Sequence, residues 1–292
     1  MNSYVFMTDS DSDLPFSYVD ELDMTMVYMP YIIDGKEYFD DLGRAGKQKE
    51  YFDNMRAGAT PVTSLLPQAV YEEYFEPVFQ QGKDILFVSF SSQLSGTIRN
   101  IYAAREELLE KYPERKMIVV DTLSISAPQS ILILKAHALY REGKSMEEVA
   151  DWLEQNKLKA QAWFTVDDLV YLKRGGRISA VAAAVGSMLD LKPIITETKE
   201  GKLVSTEKVR GRKQALRVLV DKAVENIDDP ANADVIILHA DAPEDAARVE
   251  SKLREKIPGL EKIGTYYVGP VIGAHCGPGT VAVCFFGKER PC

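Results

Sequence analysis

An α/β fold of two domains is what this sequence predicts, and three observations carry the expectation. Short apolar runs alternate with helical patterns up to about residue 160, the pattern then changes to hairpin-like strand pairs, and the 292-residue chain, 46% hydrophobic, is long enough to enclose two cores. The N-terminal part is expected to be a three-layer unit, a parallel sheet with helices on both faces. The C-terminal part is expected to be an α/β unit on a mixed or antiparallel sheet. The division falls near Lys159 to Trp163, giving domains of residues 1–160 and 161–292.

The elements follow in order. Tyr4-Val5-Phe6-Met7, Ile85-Leu86-Phe87-Val88 and Met117-Ile118-Val119-Val120 read as strands of the parallel sheet. Between the second and third, Ile98, Ile101, Tyr102, Leu108, Leu109 and Tyr112 recur near a 3.6 period, the stripe of a helix that packs on that sheet. Ser145-Met146-Glu147-Glu148 is a capping box, in which serine and glutamate satisfy each other's backbone donors, and Val149, Trp152 and Leu153 give the buried face of the helix it starts. Further on, Pro193 to Glu197 and Leu203 to Thr206 flank Glu200-Gly201 as a hairpin. Leu216, Leu219, Val220, Ala223, Val224 and Ile227 form one helix face, and Pro243 opens another helix that ends before Pro258. No repeat, low-complexity tract or long linker separates the halves, so they should pack together and leave a crevice.

Composition excludes several functions. A net charge of −9 argues against nonspecific nucleic-acid binding, which needs a dense basic face. No apolar run is long enough for a transmembrane segment, and an N-terminus carrying Asp9, Asp11 and Asp13 is no signal peptide, so a cytoplasmic location is expected. Cys276, Cys284 and Cys292 show no C-x-x-C spacing and read as reduced thiols, with no metal site indicated. The alternating aspartates of Thr8 to Pro15 fail as a calcium loop, because Leu14 and Asp20 stand where glycine and a bidentate glutamate are needed. A strand-end turn with an aspartate cap accounts for them, and Asp9 and Ser10 stay candidates to line a site.

Four further stretches are candidates for chemistry. Gly269 to Gly279 places four glycines and two prolines around His275 between apolar runs, a tight turn that would hold an imidazole beside exposed N–H groups; turn-making alone is the alternative. Phe87 to Thr97 passes from a strand into a helix and gathers hydroxyls at a helix N-terminus, a place that favours an anion, while capping by Ser95 explains the same residues. Thr63-Ser64 follow Pro61 in a loop. Leu172 to Ser179 and Lys208 to Lys213 are basic clusters in an acidic chain, fit for carboxylates, phosphates or a negatively charged partner, or simply solvated. His239 ends an apolar run and could face the crevice; His137 sits in a helical pattern.

Taken together, Thr8-Asp9-Ser10 with Asp13-Leu14-Pro15, Thr63-Ser64, Ser92 with Leu94-Ser95-Gly96-Thr97, Asp121-Thr122, Asp167-Asp168-Leu169 with Tyr171 to Ser179, and Gly269 to Gly279 resemble the DegV family over almost the whole chain. The resemblance implies a lipid-carrying subunit of bacterial fatty acid kinase. It is not itself an enzyme: it would hold one long-chain fatty acid between two α/β domains and present the carboxylate to a separate ATP-dependent kinase, whose acyl phosphate feeds phospholipid synthesis. No other cofactor is implied, and the chain has no Gly-x-x-x-x-Gly-Lys-Ser/Thr pattern of its own for nucleotide.

Carried over by motif, Thr63, Ser64, Ser92, Ser95, Gly96 and His275 would bind the carboxylate, Arg174 and His275 would steady the head group or its phosphate, and Arg210 and Arg212 would dock the kinase. Two departures bear on the pocket: Leu65-Leu66 stand where the family commonly has glutamine and proline, and Ala127-Pro128-Gln129 replace a small glycine-containing stretch. Two other functions compete. One is a hydrolase or acyltransferase using Ser95 with His275, although no Gly-x-Ser-x-Gly elbow is present. The other is a small-ligand subunit like that of dihydroxyacetone kinase, with His239 or His275 bonded to a carbonyl.

Overall fold

The structure, a computed structural model, describes residues 3–177 and 190–291. Ile178, Ser179 and the small-residue segment Ala180 to Gly186 lie outside the described residues, as does Cys292. Along the chain come β1 (Tyr4–Asp9), α1 (Phe16–Leu22), β2 (Thr25–Val27), β3 (Pro30–Ile33), β4 (Lys36–Phe39), α2 (Gln48–Arg56), β5 (Val62–Thr63) and α3 (Gln68–Gln80). Next are β6 (Asp84–Ser89), α4 (Thr97–Lys111), β7 (Met117–Asp121), α5 (Ser126–Arg141) and α6 (Met146–Asn156). The remainder is β8 (Ala160–Thr165), α7 (Val170–Arg174), β9 (Leu191–Glu197), β10 (Leu203–Arg210), α8 (Arg212–Asn226), β11 (Asp234–His239), α9 (Pro243–Lys256), β12 (Lys262–Tyr267), α10 (Pro270–Cys276) and β13 (Val281–Phe286).

Three sheets result. The first, in the order β2-β1-β6-β7, is parallel throughout, as its pairings Met7 with Thr25, Phe6 with Leu86 and Leu86 with Ile118 show. Both of its faces are covered: Tyr4, Phe6, Leu86, Val88 and Val120 pack with α5 and α6, and Met7, Ile85, Phe87 and Met117 pack with α3 and α4. The second sheet is mixed, in the order β10-β9-β8-β13-β11-β12, with only β11 and β12 parallel. Its strands β8, β13 and β11 alternate. Trp163, Val235, Ile237, Val281 and Val283 face α8 and α9, while Ala162, Phe164, Leu238, Ala282 and Cys284 face the interior of the molecule.

Helix α5 joins the two. Leu132, Ile133 and Ala136 sit in the core of the parallel sheet, and Ala127 and Ile131 pack against the mixed one. Arg290 fastens the same seam from the other end. Wholly buried, it donates from Nε to the Ala160 carbonyl (2.9 Å) and from one Nη to the Leu123 carbonyl (2.6 Å), and lies 3.4 Å from the equally buried Glu197. Glu197 in turn accepts from the Ile125 N–H (2.8 Å). A buried charge is tolerated when paired, and the ion pair with Arg290 is what faces Glu197 Oε2, which has no hydrogen-bond partner among the described residues.

The capping box at Ser145 forms, and the hairpin at Glu200-Gly201 and the helix opened by Pro243 are present. Two readings need correction. The third sheet, antiparallel β4-β3-β5, was not expected, although Asp34-Gly35, both at positive φ (53° and 75°), turns β3 into β4 with the residues such a hairpin demands. Gly269 to Gly279 is no mere turn. Pro270 starts the helix α10, because a proline at the first helical position lacks only an N–H that would be unpaired there anyway.

Candidate functional site

A cavity of about 270 Å³ lies between the carboxyl edge of the parallel sheet, the start of α5 and the inner face of the mixed sheet. Its two parts differ in chemistry. Ala162, Phe164, Leu203, Leu238, Ala282 and Cys284, from neighbouring strands of the mixed sheet, make an apolar floor. Pairing places Ala162 beside Cys284 and Phe164 beside Ala282, so small side chains open a furrow between larger ones. Cys276 and Cys284 are free, and burial raises both thiols, Cys276 to about 12, which leaves them inert.

The other part is polar. Thr63, Ser64, Ser95, Gly96, Thr97, Arg177, Asp11 and His275 line it, brought together by β5, the loop after β6, the N-terminus of α4, the loop after α7, the turn after β1, and α10. Thr63 Oγ1 and His275 Nε2 lie 2.9 Å apart, and Ser95 Oγ is 2.8 Å from Thr97 Oγ1. Burial, aided by the charge of Arg177, lowers His275 to about 4, so its ring is neutral at pH 7. Its Nδ1 has no hydrogen-bond partner among the described residues and faces Gly175, where a methyl group would come within 2.2 Å of it. Gly175 in the Lys-Arg-Gly-Gly-Arg stretch is therefore explained by the imidazole. With Nε2–H donating to Thr63, the hydroxyl proton of Thr63 is free to point at a ligand.

The remaining candidates sit as follows. Ser64, Ser95, Gly96, Thr63 and His275 share the lining, but Ser92 does not; its hydroxyl accepts from the Gln93 side chain (3.3 Å) and its N–H reaches Asp121. Arg174 is exposed, its guanidinium 5.8 Å over the Tyr171 ring; the cations in the lining are Arg99, at the exposed rim, and Arg177, three residues on from Arg174, which donates from Nε to the Leu94 carbonyl (3.1 Å). Arg210 is exposed at the end of β10. Arg212 is engaged within the chain, with Asp245 at 2.8 Å and the Gly279 carbonyl at 2.5 Å. Leu65 lies on the rim, 47% exposed, whereas Leu66 is core; Pro128 lines the cavity and Gln129 is buried under it, donating to Asp9 (3.2 Å).

Asp9 and Ser10 are wholly buried away from the cavity, and Asp11 faces it in their place. No side-chain cap forms at Asp9. Burial pushes Asp9 and Asp13 up to about 7 and raises Asp11 as well, where the neighbouring carboxylates add to the rise and Arg177 opposes it. The Ser95–His275 pair of a hydrolase is not assembled, since each is bonded to a threonine instead. His239 packs 4.4 Å from the Tyr267 ring, outside the lining, and His137 is buried edge-on against Phe6.

Fold and site together define a class: an α/β protein whose two large sheets enclose an amphipathic cavity, apolar on a sheet face and polar at a sheet edge. The chain belongs to the DegV family, whose model, described as "Uncharacterised protein, DegV family", matches residues 4–288. It is 41% identical over 290 residues to a DegV domain-containing protein of Clostridium perfringens, CPE0026, covering 99% of each. Its structure is similar to that of a fatty-acid-binding DegV family protein from Thermus thermophilus (29% identity, TM-score 0.86, 99% of this chain and 100% of that one). It is also similar to that of a stearic-acid-binding protein from Eubacterium ventriosum (26% identity, TM-score 0.83, 98% of each chain). No helix among the described residues is long and apolar enough to cross a membrane.

Proposed function

We propose that this chain holds one long-chain fatty acid, its tail in the furrow of the mixed sheet and its carboxylate at the corner of Thr63, Ser95 and His275. One observation carries the reading: a single cavity runs from an apolar floor to a cluster of hydroxyls at a helix N-terminus. Each buried methylene contributes about 0.8 kcal/mol, so a long tail offers on the order of 10 kcal/mol before ordering costs. The carboxylate meets neutral donors and the N-terminal N–H groups of α4, which hold an anion without neutralising it. Arg177, in the lining, takes the place expected of Arg174 in balancing charge.

A carboxylate held this way stays nucleophilic, which suits transfer of a phosphoryl group from a separate ATP-dependent kinase. The exposed rim at Leu65 and Arg99 gives that reading an approach route, and Arg210, with its guanidinium exposed, is the better of the two docking candidates. Mass spectrometry of protein purified without added lipid tests the binding reading. An acyl acid in stoichiometric amount is expected, and an empty protein that also fails to take up added fatty acid ends the proposal. For docking, Arg210→Glu is expected to lower acyl phosphate formation with fatty acid binding intact; unchanged phosphorylation removes Arg210 from the account.

A further inference from the structure

A second crevice, of about 290 Å³, opens where α1 and the loop from Asp40 to Gln48 meet the edge strand β12. The buried Asp13 and Asp40 are in its lining, with Tyr266 and Tyr267 at the β12 side. The hydrogen bonds of the two carboxylates are unequal. Asp13 Oδ1 accepts from the Gly269 N–H (2.9 Å), and its Oδ2 takes the Ser126 hydroxyl. Asp40 Oδ1 accepts from the Leu42 N–H (2.9 Å), but Asp40 Oδ2, on a side chain with no exposed surface, has no partner among the described residues. A methyl group on Gly269 would lie 2.5 Å from Asp13 Oδ1 and 2.7 Å from Asp40 Oδ2, so both oxygens face one small space.

The charge around that space is negative. Asp41 stands next to it, its oxygens accepting from the Gly43 and Ala45 N–H groups, and Arg44, in the same loop, is already paired with Asp20 and lies 5.0 Å over the Phe16 ring. Gln48 borders the crevice from α2, and on β12 the Thr265 hydroxyl is turned away to Glu250 (2.8 Å). An acceptor left unpaired in the interior costs about 1–3 kcal/mol unless something donates to it. No group of three or more His, Cys, Asp or Glu among the described residues is placed to hold a metal ion. Two carboxylates below aromatic rings instead match a cation that has N–H donors at one end and carbon at the other.

We propose that this crevice binds a small organic ammonium ion, its N–H groups donating to Asp40 Oδ2 and Asp13 Oδ1 and its carbon skeleton lying against Tyr266. Nothing in the proposal depends on what the larger cavity holds. Burial raises both carboxyls, and the charge of Asp13 adds to the rise of Asp40, so the pair keeps a proton until the cation arrives. The ammonium ion displaces that proton to solvent, so binding strengthens as pH rises.

Calorimetric titration of the full chain with n-butylammonium chloride tests this, with 1-butanol, tetramethylammonium and magnesium chlorides as comparisons. Expected is saturable binding of butylammonium, about tenfold tighter at pH 8 than at pH 6, with butanol silent and tetramethylammonium weaker for want of N–H groups. Asp40→Asn should weaken it about tenfold or more. Tyr266→Leu, on the β12 side rather than among the buried acids, should weaken it severalfold with an unchanged circular dichroism spectrum. Absence of binding at millimolar concentration, equal binding of butanol, binding of magnesium in place of butylammonium, or undiminished affinity in both variants overturns the proposal.

Discussion

The two large sheets serve the cavity in different ways: the parallel sheet gives an edge, and the mixed sheet gives a face. Because helices cover both faces of the parallel sheet, only its strand ends are free, and the loops after β1 and β6 deliver Asp11, Ser95 and Gly96 there. The mixed sheet has helices α8 and α9 on one side, leaving the other to supply Ala162, Phe164, Ala282 and Cys284. Edges present backbone and hydroxyl groups, and faces present alternate side chains. A cavity between an edge and a face therefore becomes polar at one end and apolar along its length, whatever else the sequence does.

The largest test of this division removes the clamp between the sheets. Arg290→Met leaves the Glu197 carboxylate and several carbonyls buried without their partner, and is expected to cost about 3–5 kcal/mol in chemical unfolding. A loss below ~1 kcal/mol would mean that the seam stands without it. The next test lies at the edge, where Asp13 is raised to about 7 mainly by burial. A carboxyl that keeps its proton in the folded state while the unfolded chain loses it near pH 4 makes stability fall as pH climbs from about 4 to about 7. Asp13→Asn should flatten that fall by on the order of 3 kcal/mol, read as the difference between two stability–pH curves; parallel curves would refute the assignment.

On the face, Ala282→Leu adds three carbons to the furrow and should weaken fatty acid binding by roughly 2 kcal/mol with little loss of stability, measured by displacement of a fluorescent fatty acid. Unchanged affinity would place the tail elsewhere. The smallest effect belongs to the polar corner. Thr63→Val or Ser95→Ala removes one hydroxyl donor to the carboxylate and should weaken binding by about 1.5 kcal/mol, while acyl phosphate formation suffers more. If binding collapses instead, head-group contacts and not the tail govern affinity.

Much of this was legible in the sequence where a period carries it. The strands Tyr4 to Met7 and Ile85 to Val88, the stripe from Ile98 to Tyr112 and the capping box at Ser145 all follow from local physics, and each is found. The small sheet was missed although Asp34-Gly35 signals its turn, because β3 to β5 are too short to show alternation. Glycine density hid α10, whose Gly273 packs its backbone against Phe52. Arg177 rather than Arg174 reaches the lining because three residues separate an exposed helical position from the loop that folds back over Leu94. That Thr63 meets His275, or Arg290 meets Glu197, has no local signal, since 212 residues separate the first pair.

One topological detail bears on how the molecule comes to be made. The strand β13 follows every other strand in the chain yet lies between β8 and β11, at the heart of its sheet. During synthesis the parallel sheet has all its strands by residue 121, whereas β8 and β11 stay without their common neighbour until residue 286 has emerged. Pairing partners so far apart along the polymer form slowly, and until then β8 and β11 each expose an unpaired edge. The furrow is thus the last part of the molecule to acquire its shape.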